Sequence, residues 1–233
     1  NGADGERRSF NGIVKSLTGG GLWSRDYREY EVEIVPWLWF LTRTTDLRIF
    51  QALSVPKIVE QIFSDLGFSD YDTSGISGQY GQREYCVQYR ESDFEFVSRL
   101  LEEEGIYYYF SHESGRHRMV LADRPSGWYD SPDSEVEFRP NADVVRHVSE
   151  WTSRHEFRTG RWTQRDWNFE KPGAPLESST NTKLSLGSFK KYEIYDYPGR
   201  FATKADGDAL SLARIQAREP ATAPGSLRAR ASS

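Results

Sequence analysis

Hydrophobic and polar positions along the chain change period several times, and each change predicts an element. Tyr30, Val32 and Ile34 alternate with Glu29, Glu31 and Glu33, the signature of a half-buried strand. Phe10 to Val14 predicts another short strand, with Gly19-Gly20-Gly21 as a loop between the two. Pro36 should end the pairing or mark an edge. Trp37-Leu38-Trp39-Phe40-Leu41 is apolar on both faces, so within a strand-built segment it should be buried or covered by another subunit. The period then becomes helical. Ser54 can cap a helix with Pro56 in its first turn, Ile58, Val59, Ile62, Phe63 and Leu66 form its stripe, and Gly67 closes it. Residues 68–82 are rich in Ser, Asp, Gly and Tyr and read as a long loop.

The run from Arg83 to Phe110 is the most informative stretch. Tyr85, Val87 and Tyr89 alternate and can share one face of a strand. Ser92 followed by Glu95 is a capping box, which satisfies two backbone donors at a helix start. Phe94, Val97 and Leu101 then lie on one stripe, widened by Phe96 and Leu100, and Gly105 suits the left-handed residue that ends a helix. Tyr107 to Phe110 predicts a strand, turned back by Glu113-Ser114-Gly115 into Met119 to Ala122. Beyond residue 124, Val136 and Phe138, Val144 and Val148, Trp162 to Phe169 and Tyr192 to Tyr197 are strand candidates. Pro172-Gly173-Ala174-Pro175 reads as a turn, Asp206 to Arg218 as a helix with Leu210, Ala213 and Ala217 on one face, and Glu219 to Ser233 as a fraying tail. The pattern divides the chain into a strand-rich segment 1–45, an α/β unit 46–123 with two helices and a hairpin, and a strand-rich segment 124–233 with a C-terminal helix. A lone leading hairpin would be marginally stable, so strands preceding residue 1 are expected to complete the first segment.

Composition narrows the function classes. Aromatic residues make up 14% of the 233 residues, enough large side chains to build cores, while a mean hydropathy of −0.71 requires much of each strand to face water or another chain. The net charge of −5 argues against a phosphate-backbone binder. No apolar run spans a bilayer and the first eight residues carry no signal-peptide core, so neither stable membrane insertion nor classical export is expected. With Cys86 as the single cysteine, an intramolecular disulfide is impossible.

Candidate chemistry is sparse. Glu102-Glu103-Glu104 point about 100° apart on a helix and cannot converge on one atom; pairing of Arg99 with Glu95 and Glu103 is the simpler role. Negative charge at a helix C-terminus opposes the dipole and calls for basic partners nearby, on this chain or another. His112 and His117 flank a hairpin and can approach each other, but neither they nor His147 and His155 stand at a recognised zinc spacing. Cys86 reads as a small core residue. The three glycines lack the Lys-Ser/Thr of a P-loop. Trp162 and Trp167 could stack on sugars, although aromatics at strand spacing more often build cores or interfaces. No catalytic, cofactor-binding or metal-binding residue is assigned, and no cofactor.

The motifs resemble VgrG, the valine-glycine repeat spike family of the bacterial type VI secretion system. The resemblance rests on Arg8-Ser9-Phe10-Asn11-Gly12-Ile13-Val14, Tyr30 to Trp39, Arg48-Ile49-Phe50-Gln51, the run Tyr85 to Phe110, and Tyr195-Asp196-Tyr197-Pro198-Gly199. It implies a β-rich α+β fold like that of phage tail hubs: two barrel-like tube domains, the first incomplete here, with the small α/β unit between them. It implies a non-enzymatic homotrimeric spike hub that sits on a tube of stacked Hcp-type hexameric rings, with a PAAR-type tip protein and effectors joined through the parent chain. Such a protein waits in the bacterial cytoplasm and is then secreted without a signal peptide. The needle that follows the hub in this family, and any effector domain, are not seen in these residues. The rival readings are a phage or prophage contractile-tail hub and, from another class, a carbohydrate-binding or carbohydrate-active protein.

Overall fold

The computed structural model describes residues 9–22, 27–127, 138, 150–152, 159–173, 176–184, 191–219 and 226–228. The chain divides into two units, Asn1–Tyr129 and Asp130–Ser233.

In the first unit, β1 (Ile13–Leu22) and β2 (Arg28–Val35) form a two-stranded antiparallel ribbon. β1 runs through Gly19-Gly20-Gly21, so the expected loop is strand: Gly19 pairs with Tyr30, and the ladder shifts register between Gly19 and Leu22. Glycine puts no side chain in the way of that pairing, and the cost is only its weak strand preference. Trp37–Arg43 forms a 3-10 helix rather than a strand. Winding resolves the two-faced apolar run: Trp37, Leu38 and Leu41 turn into the core, and Phe40 stays at the surface.

β3 (Thr45–Phe50) and β5 (Cys86–Ser92) make a second antiparallel ribbon. Helices α1 (Val55–Asp65) and α2 (Asp93–Glu104) supply the predicted stripes, with Ile58, Ile62, Phe63, Phe96, Val97, Leu100 and Leu101 buried. Ser54 occupies the cap position of α1 but makes no side-chain cap bond. At α2 the capping box is complete: the Glu95 N–H donates to Ser92 Oγ at 3.2 Å, and the Ser92 N–H donates to Glu95 Oε2 at 2.8 Å. Gly105 ends the helix at φ 72°, a conformation that costs a residue with a Cβ.

The hairpin of β6 (Tyr107–Glu113) and β7 (Arg116–Ala122) forms as predicted. β4 (Tyr71–Gly75) joins it in parallel on the β7 edge, inside the segment read as loop. Asp72, Ser74 and Gly75 have poor strand propensity; pairing with β7, far away in sequence, overrides it. Trp37, Phe63, Phe68 and Tyr71 pack ring on ring beneath this sheet, with Trp37 edge-on to Phe63 at 5.0 Å and stacked on Phe68 at 4.6 Å.

In the second unit β9 (Arg161–Asp166) is central, flanked by antiparallel β10 (Leu176–Asn181) and parallel β11 (Glu193–Asp196). The strand expected over Trp162 to Phe169 stops at Asp166. A short pair joins β8 (Glu150–Thr152) to β12 (Ser226–Arg228), so part of the segment read as a fraying tail is strand. Phe138 is exposed, and the candidates at Val136, Val144 and Val148 lie outside the described residues.

Helix α3 (Lys204–Arg218) packs on β9 and β10, but not by the face that apolar spacing selected. Gly207, Ser211 and Ile215 are buried, and Ala217 is exposed. The contact is small and polar. Ser211 Oγ lies 2.9 Å from Ser178 Oγ and 2.6 Å from Thr180 Oγ1, and Gln164 Nε2 donates to the Gly207 carbonyl at 2.9 Å. A Cβ on Gly207 would lie 2.5 Å from the Phe201 ring. Gly207→Ala should therefore destabilise this unit by about 1–3 kcal/mol through overpacking, although alanine is the better helix former by about 1 kcal/mol. Urea denaturation of the variant checks the sign; a stabilised Gly207→Ala protein would refute the close packing.

Candidate functional site

Two of the three glutamates that end α2, Glu103 and Glu104, are paired within the chain. Arg83, on the approach to β5, donates Nη1 to Glu103 at 2.8 Å and Nη2 to Glu104 at 2.7 Å. Arg99 reaches Glu103 at 3.2 Å and Glu91 at 2.6 Å. The expected Arg99–Glu95 pair gives way to Arg99–Glu91, because Glu95 is folded back into the capping box. Burial works against the Arg83 charge, but its hydrogen bonds to the Glu104 and Glu103 carboxylates outweigh it and hold the guanidinium more firmly protonated. The basic partner that the acidic helix end calls for is thus Arg83.

The other sequence candidates separate. Cys86 is buried on the core face of β5, with Gln88 beside it, while Tyr85 and Tyr89 share the outer face. Trp162 lies in the core of the second unit beneath Arg214 and Arg218, at 5.3 and 5.0 Å, and is unavailable for stacking on a sugar; Trp167 is 57% exposed. His112 and His117 face each other across the hairpin with ring centroids 6.1 Å apart. His147 and His155 lie outside the described residues. Among the described residues, no three His, Cys, Asp or Glu side chains cluster closely enough to hold a metal ion, and no helix is long and apolar enough to cross a membrane.

Alternation does not reveal Asp123, at the end of β7. Its carboxylate accepts from the Ser77 and Gly78 backbone N–H groups at 2.9 and 2.6 Å, from Ser77 Oγ at 2.9 Å and from Tyr80 at 3.0 Å. Burial raises its pKa, but these donors outweigh burial and leave it below the usual carboxylate range. The Asp123 carboxylate therefore clips the 76–80 loop to the sheet.

The prominent surface feature is a pair of uncovered apolar faces. On β2, Tyr30, Val32 and Ile34 point the same way; their partners Gly19, Leu17 and Val14 share that face, because a register shift between Val14 and Ser16 restores the phase. Leu17 is 62% exposed and Val32 45%, so the pattern read as half-buried has no cover within this chain's described residues. Lys15, Ser16 and Glu33 occupy the opposite, polar face, with Lys15 Nζ 2.6 Å from Glu33. The outer face of the β3–β5 ribbon carries Leu47, Ile49, Tyr85 and Tyr89, with Ile49 59% and Tyr89 60% exposed. Its inner face, Arg48, Phe50, Cys86 and Gln88, packs toward α2. Two-stranded ribbons are marginal by themselves, and contiguous exposed apolar surface marks an interaction site. The chemistry these faces offer is association.

Residues 1–232 match the phage tail baseplate hub (GPD) family. The chain is 43% identical over 218 residues to the type VI secretion system spike protein VgrG1b of Pseudomonas aeruginosa, covering 92% of this chain and 29% of that protein. It is 42% identical over 218 residues to VgrG1c of the same organism, covering 91% and 30%. These shares mean that the chain spans only a minor part of the length of those relatives. Among solved structures, a 43 kDa tail protein of prophage MuSo2 from Shewanella oneidensis aligns over 94% of this chain and 62% of its own, with a TM-score of 0.54 and 11% identity. That likeness is one of fold.

Proposed function

The chain belongs to the phage tail baseplate hub family, and from that premise we propose that it is the hub portion of a type VI secretion spike, a structural part that assembles and does no chemistry. The match of residues 1–232 to the hub family carries this reading. The higher identities lie with secretion spike proteins, which favours a secretion spike over a phage tail. The two uncovered ribbon faces supply the physical motive: an obligate assembly buries such surface, and an isolated domain does not.

On this reading three copies form a ring. Residues 1–45 belong to the first barrel-like tube domain, residues 46–123 form the small α/β unit, and residues 124–233 contribute the second barrel-like domain. The ring stacks on Hcp-type hexameric rings. A PAAR-type tip and effectors join through the parent chain, which waits in the cytoplasm and leaves the cell when the sheath contracts. Light scattering on the full-length parent protein tests the reading. A trimer is expected; a stable monomer or dimer at micromolar concentration overturns it.

A further inference from the structure

We propose that His112 and His117 latch both roots of the β1–β2 ribbon to the β6–β7 hairpin, and that the His117 half of the latch is acid-sensitive. Asn11 lies just before β1 and Trp37 just after β2. The Asn11 backbone N–H donates to His112 Nδ1 at 3.1 Å, and the Trp37 backbone N–H donates to His117 Nε2 at 2.9 Å. A backbone N–H can only donate, so each ring must accept with a bare nitrogen. His112 therefore carries its proton on Nε2, and His117 carries its own on Nδ1.

The Trp37 bond has a further structural reason. Trp37 opens the 3-10 helix, where early N–H groups lack a partner in the helix, and Pro36 provides no side-chain cap. His117 takes that role. Neighbouring contacts guide the two roots without replacing the latch: Asn11 Nδ2 donates to the Glu113 carbonyl at 2.5 Å, the Phe10 ring lies 5.7 Å from that of His112, and Trp37 Nε1 donates to the Asp70 carbonyl at 3.2 Å.

Protonation of His117 turns its acceptor into a donor aimed at the Trp37 N–H. It also places a positive charge beside the first N–H groups of the 3-10 helix. The charged groups on the surrounding elements are Asp70 ahead of β4, Glu113 and Arg116 paired with each other at 2.9 Å, Arg118 on β7, and the Lys15–Glu33 pair on the ribbon. Burial holds the His117 pKa below the usual imidazole value, His112 adds to this, and Asp70 opposes it. The closed latch thus binds fewer protons than the open one. Its stability is full above about pH 6.5, the pKa of a freed imidazole, and falls as pH drops below that.

Amide exchange on the intact chain tests this, with rates corrected for the intrinsic effect of pH. Between about pH 7.5 and pH 5, protection of the Trp37 amide should fall severalfold, up to about thirtyfold, since each unit below 6.5 favours an open, protonated imidazole by up to about tenfold. The interior amides of α2 should hold. In the double variant His112→Asn, His117→Gln, amide oxygens accept where Nδ1 and Nε2 did and do not titrate, so the change should stay under about twofold. A parent without the pH response, or a variant that responds equally, overturns the latch. Ring nitrogen shifts of the parent at neutral pH provide a check that needs no variant: the opposite tautomers on either ring would refute it.

Discussion

Arg48→Met should destabilise the first unit by about 3–5 kcal/mol, the cost of breaking a buried ion pair from one side. Asp93, in the first turn of α2, is almost wholly buried, and Arg48 Nη2 is its ion-pair partner. Gln88, also fully buried, donates Nε2 to the same Asp93 oxygen at 2.7 Å and accepts from Arg48 Nε at 2.9 Å. Three side chains from β3, β5 and α2 thus satisfy one another, and methionine would strand the Asp93 charge and the Gln88 carbonyl together. The helix N-terminus softens the loss for Asp93 but does not replace a guanidinium. Arg48→Lys should fall between, because an ammonium cannot serve Gln88 and Asp93 with the geometry of the fork. Arg48→Met combined with Asp93→Leu should cost less than Arg48→Met alone, since it removes the uncompensated charge. Urea denaturation with an unchanged slope reads all three. A loss under about 1 kcal/mol for Arg48→Met would mean that solvent reaches Asp93 and replaces its partner.

The network also marks the limit of what the sequence made legible. Helix α2 was readable in full because its signals are local: Ser92 and Glu95 three apart, a stripe of large side chains, a glycine at the exit. The hairpin turning at Ser114-Gly115 was local too. Arg48, Gln88 and Asp93 lie on three elements, and nothing in a strand of alternating tyrosines says that the buried side holds Gln88. The α3 interface failed for a related reason. Its buried face is Gly207, Ser211 and Ile215, where close approach and hydroxyl pairing replace bulk, and apolar periodicity sees only bulk. β4 failed because Asp72, Ser74 and Gly75 enter the sheet only through a parallel partner distant in sequence. For the ribbons, alternation correctly divided β2 into an apolar and a polar face. Alternation cannot say what covers the apolar one.

That uncovered face yields the prediction with the largest consequence. Val32→Asp, on β2, and Ile49→Asp, on β3, should each leave the isolated chain within about 0.5 kcal/mol of its stability, because both side chains already face water. In the proposed trimer of the full-length protein the same substitutions should weaken association by at least about 2 kcal/mol per interface, the scale of a hot-spot loss, since each would bury a carboxylate without a partner. The contrast between the isolated chain and the full-length assembly makes the test specific. A residue that merely supports the fold would lower both stabilities, and a residue on free surface would change neither. Mass by light scattering across a dilution series reads assembly, and urea denaturation of the isolated chain reads folding. Val32→Asp and Ile49→Asp full-length proteins that remained trimeric at the parent's concentrations would show that the ribbon faces stay open in the assembled spike, and the hub contact would then have to lie elsewhere on the chain.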